Sequence, residues 1–159
     1  LRIKKWPLLT LIGFLTVAGG VFIFGKVVCL QLENLDRGKI FHIRVSPSEP
    51  FSLFYTHSIY REPVVEEFRI KEGAIFLEGV RTKSSAVMEY YGFEDTKEFH
   101  PVSKRFSVID LKSGTGEGQG LIVKEKKINL SEIGERGDRI RLRVVSVPLG
   151  NYLFTLMFQ

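Results

Sequence analysis

FSLFYTHSIYREPVVEEFRI, residues 51–70, is the stretch on which the fold turns. Two runs of alternating apolar and polar residues, 51–59 and 64–70, flank Tyr60-Arg61-Glu62-Pro63, four residues suited to a turn. As an antiparallel hairpin about that turn, opposite residues carry numbers summing to 123. Ile59 then faces Val64, Tyr55 faces Phe68, Leu53 faces Ile70, and one face is apolar throughout. On that face the pattern sets His57 opposite Glu66. Two polar groups on an inward face are costly unless they bond each other or a ligand. The pair therefore reads either as a satisfied pair that fixes the hairpin register or as a ligand or partner site, with Tyr55, Ser58, Tyr60 and Arg61 nearby.

Working outward, alternation recurs along most of the chain. Val28, Leu30 and Leu32 alternate with Cys29, Gln31 and Glu33, and Phe41, Ile43 and Val45 do the same beyond a turn-forming stretch. Pairing Leu32 with Phe41, Leu30 with Ile43 and Val28 with Val45 gives a first hairpin. Glu72-Gly73 makes a short turn into a strand over 74–82. A serine of Ser84-Ser85 at the N-cap and Gly92 just past the end mark a short helix. The long connection 83–104 is otherwise read as loop, and strand character resumes at 106–111. Residues 113–120, SGTGEGQG, lack the spacing and the following helix of a phosphate-binding fingerprint and read as a loop or bulged crossing. Lys124 to Lys127 reads as a solvated turn, and Arg136-Gly137-Asp138 as a turn into the next strand.

The strand over 139–147 sends Ile140, Leu142 and Val144 inward and Arg139, Arg141 and Arg143 outward. That arginine stripe is either a charged, solvated strand face or a surface for an acidic partner. Alternating Tyr152, Phe154, Leu156 and Phe158 indicates a last strand. With about eight or nine short strands, one brief helix and no βαβ rhythm, the class is all-β, an antiparallel sandwich or partly closed barrel.

The N-terminus reads differently. Residues 7–25, PLLTLIGFLTVAGGVFIFG, carry no charge and follow Arg2, Lys4, Lys5 and Trp6, with Lys26 beyond. At 1.5 Å per residue the run reaches roughly 28 Å, against about 30 Å for a bilayer core. It is longer than the apolar core of a signal peptide and has no A-x-A-like exit. The expectation is one uncleaved transmembrane helix, residues 1–26 with their basic flank in the cytoplasm, and an extracytoplasmic β domain over 27–159. The protein would then be a single-pass component of the cell membrane.

Net charge is +5, but four of the 23 Lys and Arg belong to the N-terminal segment. The remaining 19 face 18 Asp and Glu, too even a balance for a nucleic-acid partner. Cys29 is the single cysteine, so no intrachain disulfide forms, and it reads as a small core residue. The histidines, His42, His57 and His100, lack ligand spacing, so no metal and no cofactor is expected. Adjacent His57 and Ser58, like Glu66 and Glu67, point to opposite faces of a strand, and no G-x-S-x-G elbow is present. No catalytic residue is assigned, and a non-enzymatic role is expected.

The run F-x-L-x-Y-T-H-S-I…P-V-x-E-x-F, carried by Phe51, Leu53, Tyr55 to Ile59, Pro63, Val64, Glu66 and Phe68, resembles a prokaryotic domain-of-unknown-function family, number eighteen-fifty. The likeness is good over 27–92 and loose elsewhere. At Ser84 to Val87 the chain departs from a Gly-Ala-Gly-type motif that many members carry. The resemblance implies a small protein with an N-terminal membrane segment, often encoded beside TAXI-type TRAP transporters. The function it implies is an extracytoplasmic accessory domain that contacts the TRAP permease or its solute-binding protein. The residues alone support an alternative, a small-ligand-binding β module with its pocket at His57 and Glu66.

Overall fold

The computed structural model describes residues 6–94, 97–114 and 118–157; within the first helix, the side chains of residues 6–9, 12 and 18 are outside the description. Arg2, Lys4 and Lys5, the indole of Trp6, Gly116 and Phe158, all invoked above, lie outside the described residues.

In chain order the elements are α1 (Trp6–Phe24), β1 (Lys26–Asn34), β2 (Ile40–Arg44), β3 (Pro50–Thr56), β4 (Pro63–Lys71), β5 (Ala74–Thr82) and α2 (Ser85–Tyr90). There follow β6 (Phe99–Phe106), β7 (Val108–Lys112), β8 (Gln119–Val123), β9 (Lys126–Asn129), a 3-10 turn (Leu130–Glu132), β10 (Arg139–Pro148) and α3 (Leu149–Met157). The strands form two antiparallel sheets, β2-β1-β10-β7 and β6-β5-β4-β3-β8-β9. Their inner faces pack as a sandwich, as the alternation demands. Leu30, Leu32, Ile140 and Leu142 of the four-stranded sheet are fully buried and share one core with Phe51, Leu53, Phe68, Ile75, Leu121 and Val123 of the six-stranded sheet.

The first hairpin has the expected register, Leu32 opposite Phe41 and Leu30 opposite Ile43, and Val45 N–H donates to Val28 O at 3.0 Å. The β4–β5 turn is the two-residue Glu72-Gly73, with φ of 51° and 70°, the left-handed pair that matches strand twist. β5 covers the expected residues.

Within residues 27–159, three expectations are corrected. The hairpin over 51–70 pairs Phe51 with Phe68, Leu53 with Glu66 and Tyr55 with Val64, so opposite numbers sum to 119. Pro63 opens β4 instead of closing the turn, a position where its missing N–H costs no ladder bond, and residues 57–62 leave the ladder. The slip keeps the parity of facing, so Phe51, Leu53, Tyr55, Val64, Glu66, Phe68 and Ile70 still share a face, but His57 is not opposite Glu66. Second, the last segment is the helix α3, not a strand. Pro148 ends the β10 ladder, and Leu149, Tyr152 and Thr155 form the half-buried side at helical spacing. Third, the connection 83–104 contains β6, an edge strand whose mostly exposed residues and Pro101 hide its alternation.

Among the described residues no helix is long and apolar enough to cross a membrane. This corrects the expected N-terminal transmembrane helix. The segment is a 19-residue helix, Trp6–Phe24. Its C-terminal end is engaged by α3: Leu149 N–H donates to Gly25 O at 2.7 Å, and the Phe22 ring lies so close that a Cβ on Gly150 would meet it at 2.7 Å.

One buried polar hub ties β1 to the loop before β10. The Asn34 side chain is fully buried; its Nδ2 donates to Asp138 Oδ2 at 2.9 Å and Ile133 O at 3.3 Å. Its Oδ1 accepts from the N–H groups of Asp36 at 3.1 Å and Arg37 at 3.0 Å. Replacing Asn34 with Ala leaves several of these groups without partners, and the expected loss is about 2–3 kcal/mol in urea unfolding. A loss below about 0.5 kcal/mol would show that water satisfies the hub equally well.

Candidate functional site

The β3–β4 turn builds one wall of a cleft. His57 N–H donates to Glu62 O at 2.8 Å and Arg61 N–H to His57 O at 2.9 Å, which closes the loop and sets Arg61 at φ 58°. A non-glycine residue there carries backbone strain, a feature that clusters at functional sites. The His57 ring is only 6% exposed, stacked with Tyr60 at 5.2 Å and edge-on to Tyr90 at 4.8 Å. Its Nδ1 accepts from Tyr60 N–H at 3.4 Å, which assigns the ring proton to Nε2.

The second wall comes from the end of α2. Ser84 caps it by accepting from Val87 N–H at 3.4 Å. At the other end Gly92, φ 79°, lets Phe93 N–H reach Met88 O and Gly92 N–H reach Glu89 O, both at 2.9 Å. This cap directs Tyr91 toward β3 and β4. There Tyr91 Oη donates to Glu66 Oε1 at 2.9 Å and Tyr55 Oη to the same oxygen at 3.1 Å, while the two phenol oxygens also touch. The inward carboxylate that the alternation exposed as anomalous is thus satisfied by two phenols, not by His57.

The third wall comes from the other sheet. Ser113 N–H donates to Asp138 O and Gly137 N–H to Ser113 O, both at 2.8 Å, so the end of β7 and the turn before β10 are clipped together. Lys112 and Arg136 are carried to the same rim. Between the walls lie two adjoining lobes of about 640 and 660 Å³, which share Thr56, His57, Ser58, Arg61, Lys112 and Gly114. Tyr55, Tyr90, Tyr91, Gly118 and Gln119 complete the first lobe, and Ser113, Arg136 and Gly137 the second.

Of the residues singled out by sequence, His57, Ser58, Arg61 and Tyr55 line this cleft, Glu66 lies behind Tyr55 and Tyr91, and Tyr60 backs the His57 ring. Arg139, Arg141 and Arg143 lie away from it on the four-stranded sheet, paired with Asp36 at 2.8 Å, Asp110 at 2.8 Å and Glu33 at 3.3 Å. Hydrogen bonds from Arg139 and Arg141 hold Asp36 and Asp110 below the usual carboxylate range. Sequence reasoning missed Tyr90, Tyr91, Lys112 and Arg136. The helix stop at Gly92 was a usable signal for where Tyr91 sits; nothing local marked Lys112 or Arg136. Among the described residues no group of three or more His, Cys, Asp or Glu side chains is arranged to hold a metal. Cys29 is buried away from the cleft, and burial pushes its thiol pKa up.

Burial pushes the Tyr91 phenol up to about 12, against an opposing contact from Tyr55 and with a smaller upward push from the Glu66 charge; burial, the Tyr91 contact and Glu66 together push Tyr55 higher still. Raised phenol pKa values stabilise the fold fully below the ordinary value of 10, and that contribution is lost as pH rises through the folded value. In a 295 nm titration two of the five tyrosines are therefore expected to stay protonated at pH 11 while near-UV circular dichroism is native. Tyr91→Phe should remove one of the two late tyrosines. Ionisation of all five by pH 11 in the folded chain would contradict the buried phenol–carboxylate cluster.

Comparison with known proteins adds a family and nothing closer. No curated protein and no solved structure matches the chain. The family model described as "Domain of unknown function (DUF1850)" matches residues 51–130, half of the chain, spanning the β3–β4 turn, α2 and Lys112. The chain belongs to the DUF1850 family.

Proposed function

We propose that this β sandwich is a binding module that takes a small ligand in the cleft between the β3–β4 turn, the end of α2, the end of β7 and the start of β8. The observation that carries this reading is the cleft itself: about 640 Å³ in its first lobe, within the range of ligand sites, walled by both sheets. Its polar groups converge from four separate chain segments, which a loop-packing accident does not require. The experiment is an NMR fragment screen on the full chain. Bound fragments are expected to shift the ring signals of Tyr55, Tyr90, Tyr91 and His57 together, leaving Phe76 on β5 unmoved. Shifts confined to other surfaces would refute the cleft as the site.

A second reading concerns what surrounds the mouth. Ile59, Tyr60 and Tyr90 are 65%, 41% and 61% exposed, an apolar and aromatic rim that favours contact with another protein. The partner implied by the family resemblance is a TAXI-type TRAP permease or its solute-binding protein, which the module would serve as a non-enzymatic accessory. Co-purification of either transporter component with the chain, lost on Ile59→Asp, is the expected outcome. Retention unaffected by Ile59→Asp would place any contact elsewhere.

A further inference from the structure

We infer that the ligand taken by this cleft is a small organic anion, held through carboxylate or phosphate oxygens by Arg61, Lys112, Arg136 and the Nε2–H of His57. The inference rests on the cleft being a ligand site and names the chemistry of what enters it. Three formal positive charges line the two lobes, and no carboxylate does so among the described residues. Among the described residues, no ion pair from outside the lobes matches the three cations either. Glu135 and Asp138, on either side of Arg136-Gly137, are both engaged by Arg37, at 2.5 and 2.7 Å. Asp110, two residues before Lys112, is held by Arg141 at 2.8 Å. Glu62, next to Arg61, contributes its carbonyl to the turn and lines neither lobe.

His57 is the second, independent observation. More than nine-tenths of it is buried, its Nδ1 is committed to Tyr60 N–H, and no described protein group accepts its Nε2–H where the ring borders the cleft. Nε2 is not among the buried unpartnered atoms, so this donor opens on the cleft, where a bound oxyanion can supply its acceptor. Guanidinium forks and an ammonium converging with it match carboxylate or phosphate geometry.

The test uses the full chain, NMR titrations at fixed ionic strength, and three probes: succinate, inorganic phosphate and succinamide, the neutral counterpart of succinate. Succinate or phosphate is expected to shift the His57 ring and the amides of Arg61, Lys112 and Gly114. Succinamide should bind at least about tenfold more weakly. Preference between the two anions tells a carboxylate site from a phosphate site. Arg61→Gly should weaken the better anion about fivefold, and adding Lys112→Gln should weaken it further. Arg61→Gly should not lower the urea midpoint, because the turn conformation suits glycine. Succinamide shifting the same signals as strongly as succinate would overturn the anion inference and leave the cleft as a ligand site. Anion affinity unchanged in Arg61→Gly/Lys112→Gln would overturn it as well. No response at the cleft to any of the three, together with a fragment screen silent there, would overturn both.

Discussion

The ladder between β1 and β10 is the constraint on which the rest depends. Nine consecutive pairs, Lys26 opposite Pro148 through Asn34 opposite Ile140, join a strand near the start of the described chain to one near its end. β2 and β7 attach on either side of that pair, so the smaller sheet has no existence without it. Its register also places the functional rim: Arg139 opposite Lys112 fixes the end of β7, and the Asn34 hub holds the loop that carries Arg136. The matched family segment, 51–130, contains the whole of the six-stranded sheet apart from Pro50, plus β7, but neither β1, β2 nor β10. Alone it would leave the inner face of Phe51, Leu53 and Phe68 without the covering layer of Leu30, Leu32, Ile140 and Leu142. The outer segments are thus part of the same folding unit, and Arg136 reaches the cleft from one of them.

What the sequence made legible was facing, and what it concealed was register. Alternation alone says which side chains share a face, so the inward set on β3 and β4 survived a slip of the pairing. Register was readable where turn chemistry dictated it. Glu72-Gly73 sets the pairing beside the turn, Lys71 opposite Ala74, up to a register shift between Glu67 and Phe68. The β3–β4 loop offered a proline that serves equally well as the last turn residue or the first strand residue, and the structure takes the second. The same ambiguity of period misassigned α3: over nine residues, an apolar stretch with Tyr152, Phe154 and Leu156 satisfies a strand template and a helix template at once. For α1, counting uncharged residues measured length but could not show that α3 packs at its end.

The candidate site was half legible for a related reason. An apolar face bearing Glu66 had to hold a partner for it, and a local hairpin model supplied the nearest one, His57. The partners of Glu66 are Tyr55, within the same hairpin, and Tyr91, which comes from beyond β5 in a tertiary contact that no local spacing encodes. His57 was correctly identified as inward and buried, but for a different purpose: freed from Glu66, it turns its remaining donor to the cleft.

This rearrangement resolves what would otherwise be a contradiction, an anion site built beside a carboxylate. A Glu66 carboxylate open to the cleft would offset its cationic rim. Instead one of its oxygens takes hydrogen bonds from both Tyr55 and Tyr91, and the phenols, not the carboxylate, line the cleft. Burial holds both phenols in the protonated form across the physiological range, so their O–H dipoles stay pointed at the charge behind them. The hydroxyl oxygens left on the ligand side are neutral, and the positive field of Arg61, Lys112 and Arg136 crosses the cleft with no described acid in its lining to oppose it. Separating the carboxylate from the cations by a layer of phenols is what allows one small cleft to contain both.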